Sequence, residues 1–407
     1  MNPRHSNARR RLAAGLITGA LIGGWTAWQV RKVQVSDAPG QMVDWERVRS
    51  IATSMNRSVR LNAPSRVHLD REYRALVRQT IPLISSYTGM RLPHDLDQIY
   101  AFDRVDWIEA NIDAFKIMFD PIERLGGQGM LPGRLGDLWS GINQTVLSAE
   151  IGFLLGYLAR RVLGQYDLAL LGREPLASSG KLYFVQPNIA GVERSLGVPP
   201  VQFRLWLALH ETTHAFEFEC NPWVRDAMNE MLQRYFSLLT EDVEYLKRGA
   251  EALRMFWERA RASAAESGAW IELVMSPEQR RLFAEMQAMM AVIEGYSNHV
   301  MNAVGRHLMP DYELIHRRFE LRQSQRSPAE QLFARLTGLD IKLEQYRLGE
   351  SFIDRVVELR GHDFARRVWD RRANLPTLEE LRSPEQWIRR IDAQDSTPRL
   401  SIVGGNG

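Results

Sequence analysis

The sequence predicts a mainly α-helical protein with one small β element, and three observations carry that prediction. Between Met42 and Ile391, apolar residues recur at three- and four-residue spacing in long stretches, the period of a helix with one buried face. No succession of alternating apolar and polar positions marks a string of strands. The best extended candidate is short, Lys181 to Gln186, fenced by Ser178-Ser179-Gly180 before it and Pro187-Asn188 after it. A chain of 407 residues with 45% hydrophobic and 25% charged positions has the composition of a folded globular protein and ample material for a core.

The elements follow in order. Residues 1–41 are expected to form an apolar anchor and linker. Leu12 to Val30 carry no charge over nineteen residues, a length that just spans a bilayer, with Arg9-Arg10-Arg11 before the segment and Arg31-Lys32 after it. Gly15, Gly19 and Gly23 place small residues on one helix face, and Trp25 and Trp28 suit an interface. The larger positive charge on the N-terminal side orients the remainder of the chain outside the cytoplasm; the alternative is a weakly apolar helix on a cytoplasmic protein. Helices are expected over 44–55, 70–87, 104–118, 135–162, 222–262, 278–308 and 327–360. Within 135–162, Gly152 and Gly156 mark a closely packed core helix, because Glu150 and Arg160 leave a charge-free stretch too short to cross a membrane. Lys181 to Gln186 is expected to pair in a hairpin with residues near 166–171, or to serve as an edge strand. A single domain over 42–391 is expected, with a loose polar tail at 392–407.

Charge excludes one class of partner. The chain has 52 basic and 49 acidic residues, but six basic residues and no acidic one fall within residues 1–32, which leaves the remainder slightly acidic. No basic cluster with interleaved aromatics is present, so no nucleic-acid partner is expected. A single cysteine, Cys220, excludes an intramolecular disulfide and any Cys-rich zinc module.

The chemistry concentrates in Leu209-His210-Glu211-Thr212-Thr213-His214, an HExxH pattern inside an apolar helix that Pro199-Pro200 open. Four residues separate the histidines, so both rings leave one helix face within reach of one ion, while Glu211, one position after the first, is placed to act on water. A zinc site of this type needs a third protein ligand. Glu294, after an apolar stretch and before Gly295, is the candidate; its rival His299 lies five residues on, turned about 140° away along a helix. Glu217 and Glu219 are expected to be solvated or paired, and Cys220 to be a lone buried thiol, its alternative role being a zinc ligand. Asn221-Pro222 end the motif helix, and Trp223 then falls near the site as a wall. Tyr296 and Tyr346 are candidates for stabilising an oxyanion.

Further phrases extend these motifs: Val43-Asp44-Trp45, Leu155-Gly156-Tyr157, Arg161 to Asp167, Val185 to Asn188, Pro222-Trp223, Glu294-Gly295, Lys342 to Tyr346 with Gly349-Glu350, Asn374 to Thr377, and Pro384 to Trp387. Together with Trp206 to His214 they resemble the zincin-like metallopeptidases of type 2, one branch of which is labelled as associated with deazaflavin-coenzyme biosynthesis. The resemblance covers roughly residues 43–391. It implies a zincin-like helical domain, Zn2+ as cofactor, His210 and His214 as metal ligands and Glu211 as the base, and it agrees with Glu294 as third ligand. The expected activity is zinc-dependent hydrolysis of a peptide or protein substrate. Competing expectations are a non-catalytic binding protein that keeps this fold, and a zinc hydrolase of a non-peptide amide or ester.

Overall fold

The computed structural model describes residues 43–57, 60–126, 134–167, 180–247, 276–324 and 340–396. They form two compact units: one takes its described residues from 43–57, 104–126 and 134–161, the other from 60–103 and from 162 onward. The expected anchor at 12–30, the tail from 397, and the expected helical residues 248–262 and 327–339 lie outside the described residues. Among the described residues no helix is long and apolar enough to cross a membrane.

The first unit is built from α1 (Trp45–Ser54), α3 (Arg104–Gly126) and α4 (Arg134–Leu158). Asp44 caps α1 by accepting from the Arg47 N–H, and the Asp44 N–H donates to Ser148 on α4. The two glycines of α4 do what their spacing predicts: a side chain at Gly152 would meet the Val48 carbonyl at 2.9 Å, and one at Gly156 would meet the Ala52 backbone at 3.2 Å. Buried Asn56 seals this contact with hydrogen bonds to Ala52 and Gly156 carbonyls.

The second unit holds α2 (Ala63–Thr88), a three-stranded sheet and the remaining helices. Strands β1 (Ile99–Phe102), β2 (Gly164–Asp167) and β3 (Lys181–Val185) are ordered β1-β3-β2, with β1 parallel and β2 antiparallel to β3. The expected hairpin is present, paired at Gly164–Asp167. The strand expected at an edge, β3, is instead central: its run of four buried residues needs cover from both neighbours, and β1 supplies the second one. The outer edge near the motif helix therefore belongs to β2.

Six further helices surround the sheet's end: α5 (Gln186–Leu196), α6 (Pro200–Glu219), α7 (Pro222–Lys247), α8 (Pro277–Leu308), α9 (Tyr312–Ser324) and α10 (Asp340–Arg360). Short α11 (His362–Ala365), α12 (Leu378–Arg382) and α13 (Pro384–Ser396) close the chain. The core of this unit is centred on α6, which is buried on nearly every side from Phe203 to Phe218, as its all-round apolar sequence requires. Arg204 pins it from below, bonding Glu72 of α2 and Glu193 of α5 at 2.8 Å each. Helix α8 begins with a capping box between Ser276 and Gln279. It crosses α10 at Gly295 and Gly349, where the backbones touch and any side chain on either glycine would run into the other helix.

Candidate metal centre

Helix α6 carries His210 and His214 one turn apart, and their Nε2 atoms lie 3.2 Å from each other. Helix α8 brings Glu294 to the same point, with Oε2 at 4.0 Å from His210 Nε2 and 3.9 Å from His214 Nε2. One donor atom from each of the three residues lies within 4.8 Å of the other two. The side chains of His210 and Glu294 keep about a fifth of their surface exposed, at 20% and 21%, so the point where they meet is reachable from solvent.

The far sides of both rings are engaged. His214 Nδ1 lies 2.8 Å from Glu217 Oε2, and Glu217 is fully buried. His210 Nδ1 lies 3.1 Å from Ser297 Oγ and 3.0 Å from Met301 Sδ. With Nδ1 donating in each ring, both Nε2 lone pairs face the same small space, an arrangement that a cation between them relieves. Charge points the same way. Glu211, Glu217 and Glu294 surround two imidazoles, and no Arg or Lys among the described residues forms an ion pair with any of the three. Without a metal, burial works to lower the His214 pKa, but Glu217, Glu294 and Glu211 outweigh it and raise it to about 9. His210 moves the opposite way, lowered by burial and by His214. The donor set, two imidazoles and a carboxylate with an acidic surplus, fits a zinc ion.

Glu211 is buried beside this cluster without joining it. Burial and the Glu294 charge raise its pKa to about 7, against the opposing effects of His214 and of the Tyr166 backbone N–H that donates to it. Strand β2 makes room for the carboxylate: a side chain at Gly164 would collide with the Glu211 carboxyl group. Thus the β2 edge and the base are one assembly.

The other residues marked by the sequence fall elsewhere. His299 is turned from the cluster and lies between Tyr87, 2.7 Å from Nε2, and Asp354, 2.6 Å from Nδ1. Glu219 accepts from Gly180 N–H and the Tyr166 hydroxyl. Cys220 is a half-buried thiol bonded to the Arg91 carbonyl, its pKa pushed up to about 11 by burial and Glu219. Tyr296 is fully buried against Trp369 with its hydroxyl toward His362, a packing role; the side chain of Tyr346 lies outside the described residues. Trp223 donates to the Trp369 carbonyl and lines a cavity beyond the end of α6 with Arg91, Arg366 and Cys220. Glu217, expected to be solvated or paired, is paired with His214. Ser297 and Gly164 carry no expectation from the sequence: Ser297 stands three residues after Glu294, a spacing that could have flagged it, whereas Gly164 gives no local signal.

A crystal structure from Chloroflexus aurantiacus, presented as "a putative hydrolase with a novel fold", matches with 41% sequence identity and a TM-score of 0.64, covering 86% of this chain and 99% of that one. No curated protein matches the chain. The model of the zincin-like metallopeptidase family matches residues 43–388, and the chain belongs to that family.

Proposed function

We propose that the protein is a zinc-dependent peptidase in which His210, His214 and Glu294 hold the metal and Glu211 is the general base. The observation that carries this reading is the convergence of the three donors beside a buried carboxylate that binds none of them. Bound there, zinc supplies a Lewis acid that acidifies water and polarises a carbonyl. Glu217 and Ser297 fix the ring orientations, so the Nε2 lone pairs stay aimed without reorganisation. Glu211, lifted toward neutrality by burial, accepts a proton from water and returns it to the departing amine. Strand β2 presents an edge that no other described strand pairs, along which an extended peptide can hydrogen-bond beside Glu211.

Metal analysis and a peptide-hydrolysis screen test this together. The wild-type chain retains close to one zinc per molecule and cleaves peptides; Glu211→Gln keeps the zinc and loses turnover; His210→Ala loses both. A wild type that takes up no zinc sinks the metal assignment, and undiminished cleavage by Glu211→Gln removes the base. Residues 12–30 we propose as a membrane anchor that leaves the catalytic unit outside the cytoplasm. Cell fractionation with and without residues 1–32 checks it: full-length protein found wholly in the soluble fraction would contradict the anchor.

A further inference from the structure

Helix α8 has one partly open stripe through this region. Glu294, Asn298 and Asn302 retain exposure, whereas residues 295–297 and 299–301 between them are buried. The stripe leads from the candidate metal ligand, at four-residue steps, to a carboxylate on the neighbouring helix. Asn298 Nδ2 donates to Glu350 Oε2 at 3.3 Å and Asn302 Nδ2 to Glu350 Oε1 at 2.8 Å. The orientation of the second amide is set independently, because its Oδ1 accepts from the buried Tyr312 hydroxyl and only its NH2 remains for Glu350. Glu350 itself is placed by the helix crossing, being next to Gly349, whose backbone packs on α8 at Ala291 and Gly295.

Among the described residues, no cation forms an ion pair with this carboxylate. Its two described partners are neutral amides, each supplying one N–H, so each oxygen has acceptor capacity left. No Arg, Lys or His among the described residues comes within ion-pair distance: nearby His316 is paired with Glu320 at 3.8 Å, and Asp354 is engaged with His299. A half-buried carboxylate without an ion-pair partner is costly to a protein, and burial together with the Asp354 charge raises the Glu350 pKa, outweighing the Asn302 hydrogen bond and the more distant His316 charge. Two oriented amides keep the group poised, while neither neutralises it. An incoming ammonium or guanidinium would complete the site.

We propose that Glu350, held by Asn298 and Asn302, is the subsite that binds a positively charged group of the substrate beside the bond to be cut. The proposal rests on the peptidase reading above. One to two helical turns separate Glu294 from the amides, roughly 6–12 Å at 1.5 Å per residue, which two to four residues of extended peptide cover. The cation is the α-amine of a residue near the peptide's start, or a Lys or Arg side chain flanking the scissile bond.

The test is binding, read by fluorescence anisotropy on the full chain loaded with zinc in the Glu211→Gln background, so that nothing is consumed. Three labelled peptides of one sequence serve as probes: blocked at both ends with a central Lys, the same with norleucine in its place, and the norleucine peptide with a free α-amine. The expected result is that a cationic peptide binds about 10- to 100-fold tighter than the blocked norleucine peptide, the range of a charge-assisted hydrogen bond in a half-buried site. Adding Glu350→Gln erases that preference, while Glu313→Gln, an equal charge change at an exposed pair with Arg306, leaves it intact. Which cationic peptide gains identifies the source as side chain or terminus. If Glu350→Gln does not fold, Glu350→Asp, which draws the carboxylate back by one methylene, takes its place. Equal binding of all three peptides, or a preference that survives the change at Glu350, overturns the subsite. A wild type that binds cationic peptides with this dependence yet cleaves none refutes the peptidase reading and leaves the subsite standing.

Discussion

Replacing Glu217 by Gln isolates the contribution of a residue that touches no substrate and binds no metal. The side chain is fully buried, accepts from His214 Nδ1 at 2.8 Å, and has its second oxygen without a hydrogen-bond partner. Gln preserves the shape and an accepting oxygen, so the hydrogen bond remains while its charge goes. A charge-assisted bond contributes about 1.5–3 kcal/mol and a neutral one about half of that, so the change costs the His214 donor about 0.8–1.5 kcal/mol. That corresponds to a zinc dissociation constant weakened by about 4- to 12-fold at 1.4 kcal/mol per decade, around the lower end expected when a ligand loses its supporting carboxylate. Competition with a chelator of known affinity measures it. Glu219→Gln is the matched control: the same charge is removed five residues from His214, but the Glu219 carboxylate serves Gly180 and Tyr166, and zinc affinity should change less than about twofold. Equal weakening in both variants would mean that net charge, and not the bond to His214, governs affinity. No change in Glu217→Gln would refute the reasoning outright.

Other perturbations reach different parts of the structure. Gly164→Ala places a methyl group against the Glu211 carboxyl; turnover should fall at least about tenfold with zinc content intact, and full activity would show that the base does not sit under β2. Gly295→Ala forces the α8 and α10 backbones apart and should cost about 3 kcal/mol or more, read as a lower denaturation midpoint; a midpoint at the wild-type value would contradict the contact at the crossing. Burial works to raise the Glu380 pKa, but the Arg390 bond, the Thr377 N–H and the Arg390 charge together hold it below its ordinary value. A carboxylate depressed in the folded state adds stability above its unfolded pKa, roughly 4.3, and that contribution disappears as pH falls through the lower folded value. Glu380→Gln should therefore flatten the acid side of the stability profile, and an unchanged acid slope would show that the group does not contribute.

The sequence was most legible where structure is local. The HExxH spacing needs only helix geometry, and Glu294 was found because its glycine neighbour announces a close approach that the α10 crossing then supplies. Gly152 and Gly156 likewise foretold their packing on α1. Long-range pairing was harder to read. Strand β1 is four residues long, and nothing in Ile99–Phe102 announces that its partner lies some eighty positions away; without it, β3 looks like an edge. Gly164 is silent for the same reason, since its lack of a side chain matters only when the antiparallel pairing sets it over Glu211. Glu217 was legible in part. Of the two expectations, solvated or paired, the second holds, but its full burial was hidden because the cover over α6 as far as Phe218 comes from distant elements.

The third donor stands on backbone pressed against backbone. Glu294 immediately precedes Gly295, whose Cα abuts the Gly349 peptide, so at this crossing no side chain stands between the two backbones to absorb a shift. The centre can therefore be retuned by exchanging what projects from the helices but hardly by sliding them. A designer seeking a different ion in this fold would alter donor chemistry at 210, 214 and 294 and leave the glycine seam alone, treating it as the gauge against which coordination distances are set.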